Sequence, residues 1–166
     1  MPELKKISHE AIPRATQKAE RYRLLNQSWA TESICLDILE IDPGNQPVLV
    51  MLLLAITDQF DREPSELARR AREVRGRLTD PYQRAYYGGI IEERLAHAQL
   101  ASTAMHAEAI AAGTLRSAMA SFEEAERLRQ PGNDDAILRW NTCQRTLDRM
   151  RRQEVAEEQY EPSFGE

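Results

Sequence analysis

The tripeptide Pro43-Gly44-Asn45 recurs 88 residues further on as Pro131-Gly132-Asn133, and an apolar helical stretch follows each copy. Gln46-Pro47-Val48-Leu49-Val50 follows the first and Asp134-Asp135-Ala136-Ile137-Leu138 the second. One turn that twice opens the same kind of helix marks a chain assembled from helix-turn-helix units. No such unit buries its own apolar face, so stacking has to build the core. Composition agrees: Ala (21) and Leu (17) far outnumber Val (4), and aromatics make up 6% of residues. A large sheet lacks its usual residues, which excludes sandwich, barrel and doubly wound α/β folds. The expected class is all-α. The length of 166 residues suits one domain, which at that size buries ~70% of its unfolded surface.

The chain breaks at Pro, Gly and Asn. A first helix starts near Pro13, where the missing amide costs nothing, and carries Ala15, Ala19, Tyr22 and Leu25 up to Asn26-Gln27. Ser28 is the expected cap of a second, whose buried face is Ile34, Cys35, Ile38, Leu39 and Ile41. The third, Pro47 to Phe60, is apolar around most of its circumference and has to be covered on several sides. Glu63-Pro64-Ser65-Glu66 opens a fourth, and Asp80-Pro81 opens a fifth with Ala85, Tyr86, Gly89, Ile90 and Leu95 as its stripe. Gly88-Gly89 lies inside that helix, where each Gly costs about 1 kcal/mol relative to Ala; close approach of a neighbouring helix is the expected compensation. Ser102-Thr103 forms a break, after which a sixth helix runs from near Met105 to Arg129, with Gly113 as the site for a kink. Asn133 caps a seventh carrying Ala136, Trp140, Cys143, Leu147 and Met150. Residues 1–152 thus read as one helical domain, and residues 153–166, with five Glu and little apolar patterning, as an acidic, flexible tail.

Met1 to Glu10 is charged and polar, unlike a signal peptide. The longest uncharged apolar run, Val48 to Ile56, has nine residues, against the ~20 a bilayer span needs. Cys35 and Cys143 both fall on apolar stripes, where they act as small hydrophobes rather than as a redox pair or a nucleophile. The expectation is a cytoplasmic protein without a membrane partner.

The repeat pattern resembles the tetratricopeptide repeat family. Ala118-x3-Phe122-x2-Ala125 followed by Pro131 fits that family's second-helix frame in full, and Thr31-x3-Cys35-x2-Ile38 with Pro43 keeps its spacing. Ala19 and Tyr22 stand where the family places the small and aromatic residues of a first helix, and Leu49, Leu52, Leu53 and Ile56 take the corresponding face of the next unit. The segment Glu32 to Pro43 is also similar to small bacterial tetratricopeptide-like proteins. Spacings of 38 from Pro43 to Pro81 and 50 from Pro81 to Pro131 exceed the family's ~34, so the later units carry insertions. The resemblance implies a helical-hairpin solenoid of about three helix pairs plus a C-terminal capping helix.

It further implies a concave groove built by the first, third, fifth and seventh helices. Candidate groove residues are Glu20, Arg23, Thr57, Asp58, Arg84, Asn141 and Arg145, with Tyr87 and Trp140 as aromatic anchors. The family's clamp for C-terminal carboxylates needs Lys and Asn on the first two inner helices; Thr16, Glu20, Arg23, Met51 and Leu54 supply none. Catalytic constellations are lacking. His9, His97 and His106 do not form a zinc-protease pattern, and Glu92, Glu93 and His97, which share one side of the fifth helix, miss the Glu-x2-His spacing of a di-iron bundle. No Gly-rich phosphate loop is present, so neither metal nor cofactor is expected. Arg62, Arg69, Arg70, Arg72, Arg75 and Arg77, and again Arg145, Arg149, Arg151 and Arg152, form basic faces on a chain of net charge −5. Pairing with Glu66, Glu73, Asp148 and Glu154 at helical spacings accounts for them, leaving nucleic acid or another anion as the lesser reading. The expectation is a non-catalytic scaffold that binds a protein or peptide segment, with a self-associating homodimer as the alternative.

Overall fold

The computed structural model describes residues 2–158. Their regular structure is helical throughout: a 3-10 turn, His9–Ala11, leads into α1 (Ile12–Leu24), α2 (Ser28–Ile41), α3 (Gln46–Thr57), α4 (Pro64–Gly76), α5 (Pro81–Leu100), α6 (Ala107–Leu128) and α7 (Asp135–Glu158). The all-α expectation holds. Each helix packs against the next in the chain, and α1 also touches α3 while α3 touches α5.

Local chemistry sets the turns. Asn26 ends α1 in the left-handed region (φ 57°), with the Gln27 amide bonded to the Tyr22 carbonyl at 2.9 Å and the Asn26 amide to that of Arg23 at 3.0 Å. This is the paired-bond C-terminal stop that Asn tolerates after Gly. The link is so tight that Ser28 does not cap α2 as expected: it is the first helical residue, Gln27 supplies no side-chain cap, and the Ser28 hydroxyl bonds Asp58 instead. The two Pro-Gly-Asn turns share their asparagine chemistry, since Asn45 Oδ1 accepts the Val48 amide and Asn133 Oδ1 the Asp135 amide, both at 3.2 Å. Their glycines differ. Only Gly132 is left-handed (φ 84°), because α6 ends at Leu128 and an extended Arg129 lengthens the second link.

Helix α3 buries eight of its twelve residues, as its all-round apolar sequence requires of a helix with neighbours on several sides. The core has two parts that meet at α5. One gathers α1 to α4 with Ile91 and Leu95; the other gathers α6 and α7 with Ala85, Ile90 and Ala96, while Leu54 and Tyr87 pack against both. Thr31, Cys35, Ile38, Ala118, Phe122 and Ala125 all have zero exposure. Gly88 and Gly89 have their compensation. A Cβ on Gly89 would sit 2.4 Å from Phe122 Cε1, and one on Gly88 would sit 2.8 Å from Arg75 Nε. Two side chains thus close on α5, from α6 and from α4.

Helix α5 extends to Leu100 before the break, and α6 passes Gly113 as an uninterrupted helix. Helix α7 continues to Glu158, so residues 153–158 of the expected tail are helical. The remainder of that tail, residues 159–166, lies outside the described residues.

Candidate functional site

The C-terminus of α3 ends in an awkward group. Asp58 is its C-cap residue, placing a carboxylate where the helix dipole is already negative and where the last carbonyls lack amide partners. Two arginines resolve both problems. Arg94 of α5 reaches across with Nη1 at 2.5 Å from Asp58 Oδ1, 2.6 Å from Thr57 Oγ1 and 3.3 Å from the Leu54 carbonyl. Arg23 of α1 approaches from the other side, its Nε at 2.9 Å from Asp58 Oδ2, to which the Ser28 hydroxyl also donates at 3.2 Å. One carboxylate therefore joins α1, α2, α3 and α5. Two guanidiniums share it, which leaves an excess of one positive charge. Burial pulls the Arg94 pKa down while Asp58 opposes the shift, and a guanidinium stays protonated at neutral pH regardless.

Beside this cluster runs an open, mostly apolar groove between α1 and α3, of about 330 Å³, walled by Pro47, Val50, Met51 and Leu54 and rimmed by Glu20, Arg23 and Leu24. Of the residues expected in a groove, Glu20 and Arg23 line this one, whereas Asp58 stands in the adjoining cluster and Thr57 is buried beneath it, bonded to Arg94. Tyr87 of α5, like Leu54, packs against both parts of the core and forms a row with Tyr86 and Tyr82: the Tyr86 and Tyr87 rings lie edge to face at 5.2 Å, and Tyr82 and Tyr86 stack at 5.8 Å.

The remaining candidates stand elsewhere. Trp140 turns to α6, where its indole N–H donates to Glu123 Oε1 at 3.0 Å. Arg84 lies one turn before Gly88 on the side of α5 that faces α4, and its carbonyl accepts a bond from Arg75 Nε at 2.6 Å. On α7, Arg139 is the arginine that reaches α5, with Nη1 at 3.3 Å from Glu93 Oε2. Helical steps put Asn141 and Arg145 about 200° and 240° around α7 from it, on the outer side.

Arg94 and Ser28 belong to the Asp58 cluster, and Arg139 and Glu93 form a second pair between α7 and α5; sequence reasoning had placed none of these partnerships. A signal existed for Glu93, which follows Gly89 by four residues and precedes Ala96 by three on the stripe buried against α6. A charged residue on a buried stripe announces a partner. Burial raises the Glu93 carboxyl above its usual range, with Arg139, His97 and Arg94 opposing the shift. Glu92 leaves that side altogether to receive Arg72 Nη2 at 2.7 Å, so Glu92, Glu93 and His97 do not converge.

The chain matches no family model, and neither the curated proteins nor the solved structures compared with it include a match.

The arginine-rich α4 is committed to its neighbours. Arg69 pairs with Glu66 and Glu73, Arg70 with Glu32 of α2, and Arg72 with Glu92 of α5. Arg77 donates to the Pro43 carbonyl at 2.8 Å. Both cysteines are fully buried, and burial pushes each thiol up to about 12, far from the range of a thiolate nucleophile. Among the described residues no helix is long and apolar enough to cross a membrane.

Proposed function

We propose that this chain is a non-catalytic, tetratricopeptide-like scaffold of the cytoplasm that holds a peptide or protein segment along the face formed by α1, α3 and α5. The observation that carries the reading is the union of an open apolar groove with a cationic end. Leu54 and Val50 offer surface to apolar side chains of a ligand, while Arg23 and Arg94 together leave one positive charge for an acidic group beside them. Charge-assisted bonds of that kind set register, and the apolar wall supplies most of the affinity. The direct contacts of α1 with α3 and of α3 with α5 support one continuous inner face. Commitment of the α4 arginines to Glu32, Glu66, Glu73 and Glu92 weighs against nucleic acid, which needs cations free to displace counterions.

The test is selection from a displayed random peptide library, followed by measurement of Kd for the enriched sequences. Peptides with an acidic residue next to apolar ones are expected, and Arg23→Glu and Val50→Lys should each weaken them at least tenfold. Reversing Arg69 and Arg72 should leave them unchanged. Enrichment of sequences insensitive to Arg23→Glu and Val50→Lys would refute the reading.

One observation favours a second reading, self-association through the α1–α2 end. Trp29 is 65% exposed there, beside a shallow cavity of about 390 Å³ with Tyr22 and Ile34 in its wall. A dimer dissociated by Trp29→Lys would assign that end to a second copy.

A further inference from the structure

The N-terminal ends of α5 and α7 enclose a second cavity, of about 300 Å³, whose wall includes Tyr82, Tyr86 and Tyr87 together with Asp80, Asn133 and Asp135. Amides and Leu128 complete the lining, and no Lys or Arg contributes to it. The three rings form one contiguous aromatic surface, stacked at 5.8 Å and edge to face at 5.2 Å. Arg139 of α7, engaged by Glu93 at 3.3 Å, also bonds the Tyr86 hydroxyl without entering the cavity lining. Two helix N-termini each bring about half a positive charge, so the two carboxylates leave a net charge of about −1 at the cavity. Asp80 Oδ1 accepts the Tyr82 amide at 3.0 Å, whereas Asp135 is exposed and makes no side-chain bond among the described residues. Burial raises the Tyr82 hydroxyl above the usual phenol range, against Asn133, and Asp135 and Asp80 push it the same way. Asn133 stands beside that buried hydroxyl without completing a well-formed hydrogen bond to it.

Aromatic rings and a carboxylate, with no Lys or Arg in the lining, recognise an organic cation: the ring π-systems attract it and the carboxylate supplies the counter-charge. We propose that this cavity is a subsite for an alkylammonium or guanidinium group, carried by a lysine or arginine side chain of the segment held along the same face. The subsite rests on the groove reading only for what carries the cation. A free amine would use the same chemistry.

The test is a titration of the full chain, labelled at tyrosine ring carbons, with butylguanidinium at constant ionic strength, using 1-pentanol as the neutral control. Saturable shifts of the Tyr82, Tyr86 and Tyr87 rings are expected with the cation and not with the alcohol. Asp135→Asn should weaken the binding about fivefold, the measure of one exposed ion pair, while Asn133 still caps α7. Asp80→Asn, which preserves the cap of α5, should weaken it too. Tenfold tighter binding of a blocked pentapeptide with a central arginine assigns the cation to a segment, and equal binding assigns it to a free amine. Equal shifts with cation and alcohol, no saturable shift, or full affinity in both folded Asp variants would overturn the proposal. Because small cations do not require the α1–α3 groove, failure here and failure of the peptide selection are separate results.

Discussion

Replacing Gly89 with alanine sets helix propensity against packing at one atom. The gain is about 1 kcal/mol, the usual difference between Gly and Ala inside a helix. The cost comes from Phe122: the new methyl would meet three ring atoms at 2.4, 2.6 and 2.7 Å, where contact requires about 3.5–4 Å. The ring cannot swing away, because Phe122 has no exposure and lies against Tyr86 and the α6–α7 core. Helix α5 or α6 has to shift by about 1 Å, and overpacking of this kind costs about 1–3 kcal/mol. The obstacle is a rigid aromatic, so the upper half of that range applies and the net loss is about 1–2 kcal/mol. For a domain of this size Tm then falls by roughly 2–8 °C. Gly113→Ala is the control, since a Cβ there meets nothing within 4 Å and should raise Tm by roughly 2–4 °C. The assay is thermal unfolding by circular dichroism of both variants. If Gly89→Ala melts at or above the wild-type temperature, the close contact of α5 with α6 is wrong.

Phe122→Ala removes the largest side chain with zero exposure and should cost about 3–5 kcal/mol, read as a shift in the urea midpoint. Asp58→Ala leaves Arg23 and Arg94 facing each other at the end of α3 and should cost about 2 kcal/mol; a loss below 0.5 kcal/mol by the same measurement, within the scatter of ordinary surface substitutions, would show that the cluster does not bind the helices together. Because burial raises the folded-state pKa of Glu93, the native state binds its proton more tightly than the unfolded chain, and the wild type loses stability as pH rises from the ordinary carboxyl value through the folded one. The stability of Glu93→Gln relative to wild type should therefore increase between pH 4.5 and 7, and a flat or falling difference in melting temperature would contradict that sign. With thiols pushed up to about 12, Cys35 and Cys143 should ignore a thiol-disulfide dye at pH 8 until the protein is unfolded.

What could be read from the residues follows from which forces are local. The seven helices were legible because Pro, Gly and Asn stop helices wherever they occur, and the burial of Cys35 and Cys143 because each lies on an apolar stripe. The Gly88-Gly89 pair disclosed a close contact, since two helix-weakening residues in mid-helix need a compensation. Partner identity was less accessible. Nothing local distinguishes Arg94, which reaches three acceptors on α3, from Arg84, which lies ten residues earlier and faces α4; the choice depends on which side of α5 each neighbour occupies. Ser28 likewise carries a capping signal that a carboxylate thirty residues away outcompetes. Arg145 was expected in the groove because α7 was, yet the rotation of α7 is set by Ala136, Cys143 and Met150 in the core, and that rotation brings Arg139 to α5 instead.

The claim that a segment lies along α1, α3 and α5 is tested most directly by mapping amide chemical shifts of the full chain on addition of the tightest library-selected peptide. Perturbed residues should cluster at Glu20, Arg23, Met51, Leu54, Asp58 and Tyr87, with α2, α4 and the outer side of α6 unchanged. Shifts concentrated on Arg69, Arg70 and Arg72 of α4, or around Trp29, would contradict it.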